Sequence, residues 1–175
     1  MAEREVVIKE KLEHNGIFDF AALYSYIFNW LRVEEGYGVV EKKYAEKISG
    51  SVRSIEIEWS ATKVLSDYFK AEIGIKWSIE GLTDVEVEIV GQSGKKKVNK
   101  GKIELSFSGI LIRDYEGKWE VSPFYKFLRD AYNKYVIPSS VEDMQTKVSS
   151  TVISLKENIK SMLDLLGNRE KRKSL

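Results

Sequence analysis

Cysteine is absent from the chain, and histidine occurs once, at His14. The first absence excludes disulfides, thiolate metal sites and cysteine nucleophiles. The second leaves His14 without a His or Cys to share a metal, and a carboxylate-only site would have to gather Asp and Glu from separate loops. Neither Glu34-Glu35 nor Asp114 with Glu116 fits a calcium-loop pattern, so no metal is expected. No Gly-x-Ser-x-Gly elbow is present to set a serine nucleophile beside His14. Gly91-Gln92-Ser93-Gly94-Lys95 has the wrong spacing for a phosphate loop. It also joins two predicted strands and so lacks the helix dipole that such loops exploit. With these groups missing, neither an enzyme nor a cofactor is expected.

An excess of charge of one sign is also lacking. There are 28 basic and 27 acidic side chains, a net charge of +1, so no field spans the molecule to draw it onto nucleic acid. No run approaches the roughly 18 apolar residues of a membrane span. Met1 to Glu5 mixes acid and base, and the apolar run Val6 to Ile8 is too short for a signal peptide. A soluble, cytoplasmic protein is expected. Proline occurs twice, while charged residues make up 31% of the chain and are rich in Glu and Lys, a balance found in heat-adapted proteins.

What the chain does have is alternation. Ile55, Ile57, Trp59 and Ala61 alternate with Ser54, Glu56, Glu58 and Ser60. Phe69, Ala71, Ile73, Ile75, Trp77 and Ile79 do so with Lys70, Glu72, Gly74, Lys76, Ser78 and Glu80. Val85, Val87 and Ile89 predict a further strand, and Ile103, Leu105, Phe107 and Leu111 another. Period-two patterning of this kind predicts antiparallel strands with one apolar and one charged face. Glu5 to Leu12 predicts a first strand that Asn15-Gly16 ends, and the charged stretch Val39 to Ile48 suits an edge strand. Gly81 to Asp84, Val90 to Gly94 and Asp114 to Gly117 predict turns, the last returning through a short strand from Lys118 to Val121.

Helical spacing takes over in three places. Phe20, Leu23, Tyr24, Ile27 and Leu31 follow Asp19 as cap, and Phe18, Tyr26, Phe28 and Trp30 make this helix apolar nearly all round. Ser122-Pro123 opens a second helix, with Phe124, Phe127, Leu128, Ala131 and Tyr135 on one side and Pro138 closing it. Ser139 or Ser140 caps a third, in which Val141, Met144, Val148, Val152, Leu155, Ile159, Met162 and Leu166 recur at steps of three and four until Gly167. Residues 141–166 as a helix span about 39 Å, long enough to lie along a whole strand. The expected fold is therefore α+β: a curved, mostly antiparallel sheet of about six to seven strands wrapped against an N-terminal aromatic helix and a long C-terminal helix. Residues 1–167 would form a single domain and 168–175 a basic disordered tail.

This order of elements, covering nearly the whole chain, resembles that of the helix-grip fold, the architecture of the START-like proteins. The resemblance implies a space between sheet and C-terminal helix that binds a small ligand. The stretches Trp59-Ser60-Ala61-Thr62-Lys63, Ser66-Asp67-Tyr68-Phe69-Lys70 and Gly81-Leu82-Thr83-Asp84-Val85-Glu86-Val87-Glu88 are similar to small uncharacterised archaeal proteins. That likeness implies an archaeal source and no mechanism.

Three functional readings follow. In the first, a non-enzymatic protein binds an apolar or amphipathic small molecule, with Trp59, Trp77, Phe107, Tyr24, Phe28 and Leu155 as walls. In the second, the apolar helices pair with a second copy or a protein partner, making an interaction or self-assembling module. In the third, Lys95, Lys96, Lys97 and Lys100, with the basic tail, grip nucleic acid or another anionic surface. Nucleic acid is the least expected partner, because no aromatic residue is interleaved among those lysines to stack on bases.

Overall fold

The structure, a computed structural model, describes residues 2–88, 95–117, 122–135 and 138–171. Five strands form one antiparallel sheet: β1 (Glu3–Phe18), β2 (Gly38–Ser49), β3 (Val52–Val64), β4 (Phe69–Glu88) and β5 (Lys95–Arg113). Their spatial order is β1-β5-β4-β3-β2, so the first strand lies beside the last and β2 forms the opposite edge. Three α-helices complete the α+β fold: α1 (Phe20–Asn29), α2 (Pro123–Tyr135) and α3 (Pro138–Lys171).

The alternation read from sequence sets the two faces of the sheet. Ile57, Trp77 and Leu105 stand in one row across β3, β4 and β5, and Ile55, Ile79 and Ile103 in the next. All six are at most 2% exposed. Glu58, Lys76 and Ser106 fill a row of the other face, where Lys76 pairs with Glu58 at 3.5 Å. Both helices needed to cover the apolar face pack on the same side. α3 lies chiefly over β1 and β5, burying Val148, Val152, Leu155, Ile159 and Leu163. α1 covers β3 and β4, with Phe20 edge-on to Trp77 and Tyr24 and Phe28 edge-on to Trp59. The N-terminal aromatic helix and the long C-terminal helix thus share the apolar face, as the sequence led one to expect.

Among the described residues there are five strands where six or seven were expected; two of the expected strands are one, because Gly81 to Asp84 is not a turn. β4 runs through it with a bulge, its register shifting between Glu80 and Thr83 and Gly81 at φ +65°. A glycine absorbs that conformation without a Cβ clash. Opposite it, Gly101 is closely approached: a Cβ there would come within 2.9 Å of the Glu80 carbonyl oxygen. Gly16 pairs with Gly101 from the far side. Three glycines on neighbouring strands thus form a crease, and β1 passes Asn15-Gly16 to end at Phe18. The turn from Val90 to Gly94 and the strand from Lys118 to Val121 lie outside the described residues.

The helix boundaries also differ. α1 gives way to a π-helical turn, Trp30–Glu34, in which the Glu35 N–H donates to the Trp30 carbonyl at 3.0 Å. Pro138 begins α3 rather than closing α2, as its fixed φ and missing N–H allow in a first turn. α3 continues past Gly167 to Lys171, beyond the stop expected from a glycine that a helix interior accepts at about 1 kcal/mol. No helix among the described residues is long and apolar enough to cross a membrane.

Candidate functional site

Of the six side chains expected as pocket walls, four meet. Tyr24, Phe28, Trp59 and Trp77 form one aromatic cluster, joined by Phe20. Ring centroids are 4.7 Å apart for Tyr24 and Trp59, 5.3 Å for Trp59 and Trp77, and 6.1 Å for Phe28 and Trp59. Most of these pairs are edge-to-face, the arrangement ring quadrupoles favour. Phe107 and Leu155 belong to the same continuous core. Trp59, Trp77, Phe107 and Leu155 are 3%, 2%, 2% and 0% exposed, whereas Tyr24 and Phe28 are half-buried.

One carboxylate organises the rim of the cluster. Glu41, on edge strand β2, accepts from the Tyr24 hydroxyl at 2.7 Å and from Trp59 Nε1 at 3.0 Å through the same oxygen. Burial, reinforced by Glu41, pushes the Tyr24 hydroxyl up to about 12, so it is a donor at ordinary pH and not a base. Sequence reasoning passed over Glu41 because its strand is charged throughout. Trp77 Nε1, by contrast, is buried with no acceptor.

Residues of the stretches 59–63, 66–70 and 81–88 have structural tasks here. Lys63 donates to the Glu35 carbonyl at 2.5 Å, closing the end of the π turn, and its ammonium lies 5.5 Å from the Tyr37 ring centroid. Ser66 accepts from the N–H groups of Tyr68 and Phe69. Asp84 accepts from Arg53 at 2.6 Å and from Asn99 at 2.8 Å. Asn99 in turn accepts from the Phe20 N–H at 3.2 Å, tying α1 to the ribbon of β4 and β5.

The lysines are exposed but set against carboxylates. Lys96 pairs with Asp19 at 2.9 Å and Lys95 with Glu86 at 3.8 Å. Lys97 stands opposite Glu86 and Lys100 opposite Thr83 in the β4–β5 ladder. Burial of Asp19 opposes its charge, but Lys96 and the Ala22 N–H outweigh that and hold its carboxyl below the usual range. Among the described residues no group of three or more His, Cys, Asp or Glu is placed to hold a metal. His14 Nε2 instead lies 3.3 Å from the Ile17 carbonyl oxygen.

A hollow of about 240 Å³ lies on the outer face of the sheet, lined mainly by Glu56, Glu58, Lys76, Ser78, Glu104 and Ser106. Its Lys76 and Glu58 are already paired, and Ile57 and Trp77 are its only apolar lining, too little to hold a ligand by burial.

The apolar side of α2 departs most from expectation. Phe124, Phe127 and Leu128, expected to pack inward, are 66%, 69% and 37% exposed, and no described side chain of α2 is buried. Phe127 therefore stands apart from the cluster of Tyr24, Phe28, Trp59 and Trp77. The helix itself is well formed: the Lys126 N–H donates to the Ser122 carbonyl at 3.0 Å, and Ser122 Oγ caps Tyr125. Its main neighbour is α3.

No family model, curated protein or solved structure matches the chain.

Proposed function

We propose that the protein is a non-enzymatic docking module, a folded body that carries α2 as an apolar handle for something outside the chain. The exposure of Phe124 and Phe127, 66% and 69%, supports this reading, because soluble monomers seldom leave clustered large apolar side chains in water without a use. α1 and the stripe of α3 from Val148 to Leu163, first expected to serve as interaction surfaces, turn into the core, although Ile153 and Leu165 on α3 stay exposed. Exchanging both phenylalanines for glutamine, a good helix former, tests whether the face belongs to the fold. The Phe124→Gln/Phe127→Gln protein is expected to melt within about 3 °C of the parent. A fall of about 8 °C or more would return α2 to the core and end the reading.

A second reading keeps the likeness to the helix-grip fold. It is supported by the placement of β1 beside β5 with a long helix following, and by the unpartnered Trp77 Nε1. An apolar or amphipathic small molecule offering one acceptor atom would sit between sheet and helices, against Trp59, Trp77, Phe107, Tyr24, Phe28 and Leu155. Native mass spectrometry of gently purified protein is expected to show a removable mass of a few hundred daltons. A bare protein from several hosts dismisses it.

A further inference from the structure

We infer that two copies of the chain join edge to edge along β2, antiparallel and about a two-fold axis at Tyr44, so that their sheets become one of ten strands, five from each copy. The inference is independent of α2. β2 is an edge strand of 12 residues, about 40 Å of backbone whose outer row of N–H and C=O groups has no strand beside it. β1, at the other edge, lies under α3, whose Lys156 and Gln145 reach Glu10 and Glu5 at 2.5 and 2.9 Å. Every residue of β2 except Val39 is exposed. Three of them are large and apolar: Val40, Tyr44 and Ile48, at 53%, 48% and 70%.

Edge strands are ordinarily short, or charged so as to repel an incoming strand. The charges of β2 are mixed, and their order selects a partner. In antiparallel pairing about Tyr44, that tyrosine faces its own copy and Lys43 faces Ala45. The bulge between Glu41 and Lys43 then sets Glu41 and Lys42 together opposite Glu46 of the second copy. Glu41 is turned to Tyr24 and Trp59, which leaves Lys42 to meet that carboxylate. Lys42 has no ion pair among the described residues, and Glu46 is held only loosely in its own chain, by the Tyr44 hydroxyl at 3.5 Å and Arg53 at 3.9 Å. Past the bulge Val40 faces Lys47, whose alkyl stem covers it, and Val39 faces Ile48. The faces agree, since Val39, Tyr44 and Glu46 stand opposite Ala61, Ile57 and Ile55 of β3, all buried, and Ile48 follows on the same side. Moving the axis by one residue destroys the match. About Lys43 that residue faces itself, and about Ala45 Lys43 faces Lys47 twice, like charges directly opposite that destabilise a sheet. A register fixed in this way accepts a second copy and rejects an arbitrary strand.

Sedimentation of the full chain from low to high micromolar concentration is expected to show a monomer giving way to a dimer. Lys42→Glu and Glu46→Lys should each weaken that dimer about tenfold, because each sets like charges together at two places. An equal mixture of the two variants should restore the parent's affinity, since both junctions of the mixed dimer again join opposite charges. A loss caused by damage to either fold would not be rescued in this way. Tyr44→Lys, which sets two ammonium groups on the axis, should weaken the dimer without altering Glu46. A monomer at every concentration overturns the inference, as does weakening that the mixture fails to rescue. A dimer that all three variants leave intact also overturns it. If Phe124→Gln/Phe127→Gln dissolves that dimer instead, α2 is the interface, and the docking reading stands without the inference.

Discussion

Gly109 and Gly74 show how differently one residue type can be constrained within a single sheet. A Cβ at Gly109 would come within 2.8 Å of both Ile8 Cγ2 and Val148 Cγ1 and 3.2 Å of Val152 Cγ2, between β1 and α3. The two valines cannot withdraw without moving α3, and Ile8 is fixed on the neighbouring strand β1. A Cβ at Gly74 would come within 2.6 Å of Ser108 Oγ alone, a hydroxyl that can rotate away on the open face. Gly109→Ala is therefore expected to cost about 1–3 kcal/mol through overpacking. Gly74→Ala should stay within about 0.5 kcal/mol, since the strand gains from losing a glycine. Urea unfolding midpoints at constant slope measure both, and equal losses would contradict the packing described. In the sequence the two glycines look alike, each a gap in an alternating strand. Only the helix above Gly109 distinguishes them.

At the scale of elements, α1 is held by tyrosines whose protons matter. Tyr24 joins it to β2 through Glu41, and Tyr37 follows the π turn, 4% exposed. Burial is the main cause that pushes both hydroxyls up to about 12, against about 10 in an unfolded chain. The folded state thus holds protons that the unfolded state has released between those values. Stability should be level up to about pH 10 and fall as pH rises toward 12. Tyr24→Phe and Tyr37→Phe should each flatten that fall, as denaturant melts at stepped pH would record; an unchanged slope would detach these residues from the effect. Much of this element level was legible beforehand. Strict alternation in β3, β4 and β5 and the i, i+4 spacing of α1 and α3 each follow from burying one face. The crease at Gly81 was not legible, because a glycine after a charged residue signals a turn and a bulge equally. The outward face of α2 was not legible either. Its apolar periodicity matches that of a core helix, and what distinguishes it, the exposure of Phe124 and Phe127, depends on where the helix sits and is not written locally. The aromatic cluster was half visible: Trp59 and Trp77 declare themselves by parity, while Glu41 acquires its role only when β2 is folded against β3.

For the whole molecule, one sheet face covered by two helices gives a single continuous core reaching from Phe18 to Leu163, while the outer face is laced with pairs such as Arg4–Glu72 and Lys43–Glu56. Those exposed pairs contribute little to stability individually, and the buried rows carry the fold. The sheet is a simple meander from β2 to β5, each strand beside the one before it. β1 is the exception, for its sheet neighbour is β5, and the Glu5–Arg113 contact joins residues 108 positions apart. The thermodynamic penalty of so long a loop grows only with the logarithm of its length, so the arrangement affects time more than stability. On a ribosome adding 5–20 residues per second, β1 would wait on the order of 5–20 s before β5 is made. During that interval its sixteen residues are a nascent strand with both edges open, first available to a chaperone or to a neighbouring copy on the same message.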